Sequence, residues 1–291
     1  MRLKKAIVTL VIGKVYSDRW NKLCAANWQR YADLHGYDLI CIDNPLDNSP
    51  RAQSRSAAWQ KCLILGDKRV QHYDRVVWID SDILINPNSP CVVSNVPEDK
   101  VGAVDMFARL NESLPGKNQR LADRHSEFWQ WPIRTAKEFY SKVNLPDLID
   151  RVIQTGVMVL SPHYHRAILE HTYYNYEDIV EGHYEMESLS YEIVKSNAVH
   201  WLDYRFNALW VESMVRDYPF LLPKQEIEIR PIRVWKRFTR GHYQLPPRKI
   251  TEACLTTSFF NNYFLHFAGV SQYMDWVDVN VSSWKDLQRK I

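Results

Sequence analysis

A chain of 291 residues can bury a substantial core as one large or two small domains, and a formal net charge of +3 is too small to point to nucleic acid as a partner. No stretch approaches the length of a membrane span. Five cysteines (Cys24, Cys41, Cys62, Cys91 and Cys254) form an odd set without a C-x-x-C pair, as expected of reduced, packed thiols in a cytosolic protein.

Ala6 to Ile12 reads as a first buried strand. It follows Arg2, Lys4 and Lys5 as a secretory leader would, but it is too short and lacks a small-residue cleavage site. Ser17 or Asp18 then caps a helix in which Trp20, Leu23, Cys24, Tyr31 and Leu34 recur at helical spacing, and Gly36 ends it. Tyr37 to Ile42 is a second strand, residues 43 to 53 form a polar loop, and Ser56 to Leu65 is a second helix stopped at Gly66.

The run VVWIDSDILI at 76 to 85 is the most informative. Val76 to Ile79 has the continuous apolar character of a buried parallel strand, so Asp80 and Asp82 sit where that strand leaves the core. In open α/β sheets ligands bind outside the carboxyl ends of the strands, and paired carboxylates there suit Mg²⁺ or Mn²⁺. An Asp-x-Asp also suits a solvated turn.

Val101 to Met106 reads as another strand, closing on Asp105; 107 to 150 is less regular. Arg151 to Leu160 returns to strand character, Ser161-Pro162 opens a helix running to about Tyr174, and a further helix covers Glu187 to Lys195. The βαβαβ order of the first hundred residues predicts an α/β fold with a Rossmann-like, mostly parallel sheet flanked by helices. No repeat or flexible linker divides the chain, so a single domain over 1–291 is expected. From Arg230 to Lys249 there are seven Lys or Arg residues and no acid, with Trp235, Phe238 and Tyr243 interleaved. Such a segment suits either a solvated loop or peripheral contact with anionic lipid. Aromatics make up 13% of the chain, which fits sugar stacking or a Trp-rich core.

Taken together, Trp59-Gln60-Lys61 with Leu63-Ile64-Leu65, YADLHGYDL at 31–39, YDRVVWIDSDILINP at 73–87, QTGVMVL at 154–160 and HFAG at 266–269 resemble the GT-A nucleotide-sugar glycosyltransferases. The nearest likeness is to glycosyltransferase family 34, the galactosyl-, mannosyl- and xylosyltransferases, with family 8 more distant. The resemblance runs from the first strand to residue 269.

It implies a GT-A fold, with about 1–100 binding the nucleotide sugar and about 101–291 the acceptor. It also implies Mn²⁺ (or Mg²⁺), a nucleotide-diphospho-sugar donor with UDP favoured, a glycan or lipid-linked glycan acceptor, and retention at the anomeric carbon. By position, Asp80, Asp82 and His266 would ligate the metal. Thr9 to Ile12, Leu10 included, would underlie the base, with Tyr16 stacked on it. Arg55 and Lys61 would reach the donor phosphates or sugar, Ser81 lies between the two acids, and Gly269 would let backbone approach the diphosphate. Family 8 has a Lys three residues beyond that Gly; Gln272 stands there, which leaves the phosphate counter-charge unassigned. Gln154 would face the donor sugar, and Glu187 or Asp105 would stabilise positive charge at the anomeric carbon. The lack of an anchor segment points to a cytoplasmic enzyme working at the inner membrane face. A D-x-D phosphotransferase and an inactive carbohydrate- or nucleotide-binding scaffold are the alternative readings.

Overall fold

The computed structural model describes residues 3–111, 135–178, 184–221 and 247–279. Among these residues the strands are β1 (Lys5–Leu10), β2 (Asp38–Ile42), β3 (Arg75–Ile79), β4 (Ile83–Ile85), β5 (Val101–Asp105), β6 (Ile153–Leu160), β7 (Val199–Trp201), β8 (Ala208–Leu209) and β9 (Phe264–His266). Six of them form the central sheet in the order β2-β1-β3-β6-β5-β7. Strands β2, β1 and β3 are parallel neighbours and β7 runs parallel to β5, while β6 is antiparallel to both β3 and β5. The sheet is thus mixed and mostly parallel, as the element order predicts.

Alternation along the strands divides the core into two layers. Ile7, Val77, Ile79, Val157 and Val159 face one side and pack with Trp20, Trp28 and Tyr31 of helices α1 (Lys14–Leu23) and α2 (Ala25–His35). Ala6, Val8, Val76, Trp78, Met158 and Leu160 face the other, against Trp59, Cys62, Leu65, Leu169, Tyr173 and Leu189. Each such side chain withdrawn from water contributes roughly 1.5–3 kcal/mol before entropy is counted.

A second sheet, β4-β9-β8, brings the C-terminal third to the end of β3. Its register places Ile83 opposite His266. Helix Pro247–Asn261 delivers β9, and the Asn86 amide closes that helix by donating to the carbonyls of Phe259, Phe260 and Asn262.

Local structure departs from the sequence expectation in three places. The first helix begins at Lys14, ahead of Ser17, and divides at Cys24, whose thiol points at the carbonyls of Ser81 and Ile83. Residues 57–66 wind as a 3₁₀-helix with Ser56 as its cap, a tighter coil that lets both Trp59 and Lys61 be buried. The polar loop expected at 43–53 ends in a short helix, Pro50–Gln53, capped by Ser49. The basic segment at 230–249 lies outside the described residues up to residue 246. All five cysteines are free thiols. Among the described residues no helix is long and apolar enough to cross a membrane.

Candidate active site

A cavity of about 470 Å³ opens beside the carboxyl ends of β1 and β3. Leu10 and Ile12 wall it from the end of β1, Tyr16 and Arg19 from α1, and Ser56, Ala57, Ala58 and Lys61 from the 3₁₀-helix and its cap. Trp78, Asp80, Ser81 and Asp82 come from the end of β3, and Tyr184 and Ser271 complete the rim. Of the residues predicted from sequence, this brings together Leu10, Tyr16, Lys61, Asp80, Ser81 and Asp82.

The turn carrying the two acids is held from several sides. Asp80 donates its backbone N–H to the Gly156 carbonyl on β6 at 2.8 Å, and Phe267 N–H donates to the Asp82 carbonyl at 3.0 Å. From α2, the Asn27 side chain makes two 2.7 Å bonds to the backbone of Ile85, and Trp28 Nε1 donates to the Ile83 carbonyl at 2.9 Å. Backbone groups that leave the central sheet at Ile79 therefore find partners at once, which fixes where both carboxylates can point.

His266 stands beside them, with Nε2 3.2 Å from Asp82 Oδ1 and its side chain only 4% exposed. One ligand atom from each of Asp80, Asp82 and His266 falls within 4.8 Å of the others. The imidazole orientation is set behind it. The Asn207 amide donates to the Gln154 carbonyl at 3.2 Å, so its Oδ1 faces His266 and accepts from Nδ1 at 2.8 Å. Nε2 is then the nitrogen turned toward the acids. Gly156 makes room for the ring: a Cβ there would lie 2.5 Å from His266 Cε1 and 2.7 Å from Nδ1, closer than any side chain tolerates. Burial by itself would lower the His266 pKa, but the adjoining Asp82 charge and hydrogen bond raise it above its usual value. Reciprocally, burial opposes ionisation of Asp82, and the imidazole more than offsets that, holding the carboxyl below its usual range. Two carboxylates and an imidazole whose Nε2, on giving up its proton, would present a lone pair beside them are a donor set that fits Mn²⁺.

Beneath the acids lies a buried ion network. Lys61 Nζ, on a side chain 6% exposed, is 3.1 Å from Asp80 Oδ1 and 2.7 Å from Glu185 Oε1, and it sits over the Trp78 ring. Burial disfavours the ammonium, yet the two carboxylates raise its pKa above the usual lysine value. Trp78 Nε1 also donates to Asp80 Oδ1 at 2.8 Å, and Thr155 Oγ1 donates to Glu185 Oε1 at 3.1 Å. Asp80 thus has one oxygen tied from below while its side chain stays 26% exposed to the cavity.

The remaining predicted residues lie elsewhere. Thr9 is buried within β1. Arg55 does not line the cavity; it donates to the carbonyls of Tyr173 and Tyr176 at 3.0 Å each and is sandwiched by the Trp59 and Tyr173 rings, so its planar cation closes the end of helix Pro162–Asn175. Gly269 follows β9 with φ +70°, the left-handed region that a side chain disfavours. Asp105 and Gln154 line a narrow cleft behind His266 with Asn207 and Glu212. There Asp105 pairs with Arg151 Nε at 2.7 Å, and Gln154 Oε1 accepts from Gly156 N–H at 3.1 Å. Glu187 is buried in the first turn of helix Met186–Lys195 and does not line the cavity.

Glu185, Asn207 and Arg19 were not singled out from sequence. Asn207 carries no local motif, because its role is defined by β9.

No family model and no curated protein matches the sequence. Among solved structures, the chain is similar to a glycosyltransferase involved in glycosylation of the major capsid of PBCV-1, with a TM-score of 0.50, 14% identity, and 94% of this chain and 100% of that chain covered. It is also similar to the bifunctional glycosyltransferase WbbM in its apo form, with a TM-score of 0.53 and 13% identity over 100% of this chain. That match covers 52% of WbbM, so the present chain spans about half its length. These likenesses show the fold, which is of the GT-A glycosyltransferase class. They bear on architecture and do not single out family 34.

Proposed function

We propose that the protein is a metal-dependent, retaining glycosyltransferase that takes a sugar from a nucleotide-diphospho-sugar, with UDP as the favoured nucleotide, to a glycan or lipid-linked glycan. The observation that carries this reading is the cluster of Asp80, Asp82 and His266, whose two acids line a cavity of about 470 Å³ on a GT-A fold. A divalent ion held by those three side chains would supply Lewis-acid neutralisation of the departing diphosphate. The chain's own groups do the rest. Leu10, Ile12 and Tyr16 offer an apolar and aromatic wall for the nucleoside. Lys61 and Trp78 hold one Asp80 oxygen in place, so the site is organised before the donor arrives.

In the transfer step, an acceptor hydroxyl oxygen forms a bond to the anomeric carbon as the bond from that carbon to the diphosphate oxygen breaks. The hydroxyl proton passes to the leaving diphosphate. Gln154, in the cleft behind His266, is assigned to face the donor sugar, and Glu187 or Asp105 to the positive charge that develops at the anomeric carbon.

The test combines a thermal-shift panel of nucleotides and nucleotide sugars with Mn²⁺ and an assay for nucleotide release with and without EDTA. The expected result is Mn²⁺-dependent stabilisation by a nucleoside diphosphate, lost in Asp82→Ala, and EDTA-sensitive release from the matching nucleotide sugar. Unchanged stabilisation in Asp82→Ala would contradict the metal assignment. Binding without turnover across an acceptor screen would point instead to a binding scaffold.

A further inference from the structure

Helix α1 carries three cations, Lys14, Arg19 and Lys22, and they are not treated alike. Lys14 pairs with Asp18 at 2.8 Å, and Lys22 pairs with Asp275. Arg19 has no carboxylate partner among the described residues; its guanidinium Nη1 donates instead to the neutral hydroxyl of Ser271 at 2.5 Å. The other cation on the cavity wall, Lys61, is already balanced by Asp80 and Glu185. Arg19 is therefore the described cation of the cavity whose charge is not already met by an acid of the protein.

Its placement gives that charge a direction. Ser271, which holds it, lies on the segment after Gly269, just beyond β9 and the His266 ligand. Tyr16 lies one turn before Arg19 on the same helix, and Leu10 and Ile12 line the cavity from the end of β1. Lys22–Asp275, one turn further along α1, is a second tie between the same helix and the same 271–276 segment, so the guanidinium is braced on a fixed frame. A planar fork with five donors has several left to offer after one goes to a hydroxyl, and such a fork suits phosphate oxygens.

Resting on the donor reading above, we infer that Arg19 binds the distal phosphate of a nucleoside diphosphate and supplies the counter-charge that the 269–272 segment, with Gln272, does not. Ser271 is its positioning residue. The consequence is selectivity: the cavity prefers a diphosphate to a monophosphate through Arg19.

The test is calorimetric titration of wild type, Arg19→Leu, Arg19→Lys and Ser271→Ala with UDP, UMP, GDP and GMP, each with Mn²⁺, alongside unliganded melting curves. For whichever base the wild type accepts, Arg19→Leu should weaken diphosphate binding roughly ten- to a hundredfold and collapse the diphosphate-over-monophosphate preference. Arg19→Lys, which keeps the charge without the fork, should fall between. Ser271→Ala should cost a few-fold, with melting unchanged. An intact preference in Arg19→Leu overturns the inference while leaving the donor reading in place. So does equal weakening of both nucleotides with a lowered melting temperature, which would mark a merely structural arginine. A wild type that binds neither diphosphate with Mn²⁺ removes the donor reading and this inference with it.

Discussion

Gly156→Ala tests how the His266 imidazole is held beside Asp82. The new Cβ would sit 2.5 Å from His266 Cε1 and 2.7 Å from Nδ1, against an ordinary contact of about 3.5–4 Å, so the ring must retreat by roughly 1 Å. A movement of that size breaks the 2.8 Å bond to Asn207 and displaces Nε2 from Asp82. Overpacking in a filled interior costs about 1–3 kcal/mol, and a buried hydrogen bond left unmade adds about 1–3 kcal/mol. The expected loss is therefore about 2–5 kcal/mol, read as a lower urea midpoint in the absence of metal. Loss of the partner that orients a histidine ligand should separately weaken Mn²⁺ binding about 10- to 100-fold. A Gly156→Ala protein with wild-type midpoint and wild-type Mn²⁺ affinity would refute the argument that this glycine exists to admit the ring.

Two further predictions concern buried charge. Lys61→Met strips the shared cation from Asp80 and Glu185, and leaving the buried Glu185 carboxylate uncompensated should cost about 3–5 kcal/mol in the metal-free protein; an unchanged denaturation midpoint would mean the network carries little. For pH, burial pulls the His165 pKa below its usual 6.5, against an upward pull from Asp99 and with Arg75 adding to the fall. Its Nδ1 accepts from Ser161 N–H at 2.9 Å, a bond that protonation would forfeit. The unfolded chain binds this proton more readily, so His165 should destabilise the fold as pH drops below 6.5 toward the folded pKa, by up to about 1.4 kcal/mol per pH unit. His266, shifted upward, acts above that window. The pH dependence between 6.5 and 5 should be shallower in His165→Gln, and identical slopes would contradict the assignment.

What was legible in sequence follows from the range of the forces involved. The strands and Asp80-Ser81-Asp82 announce themselves because burial writes a local apolar run and two charged side chains interrupt it. The 3₁₀ winding of 57–66 was missed because Trp59, Lys61 and Leu65 are compatible with either coil until tertiary packing selects one. Arg55 and Lys61 look alike in sequence, six residues apart, yet one stacks under Trp59 and the other meets Asp80. Only the partner strand and helix decide between them. Asn207 and Glu185 matter through contacts with residues far away in the chain, and no local window contains that information.

The pairing of β4 with β9 has a consequence for how the protein matures. Residues 82 and 266 meet only after almost all the intervening polypeptide has been placed, and closing so long a loop is entropically slow and late. On a ribosome, the N-terminal strands and the acidic turn emerge well before the imidazole. A nascent chain released before residue 266 would carry Asp80 and Asp82 without the imidazole, so the three-residue cluster is complete only when β9 docks against β4.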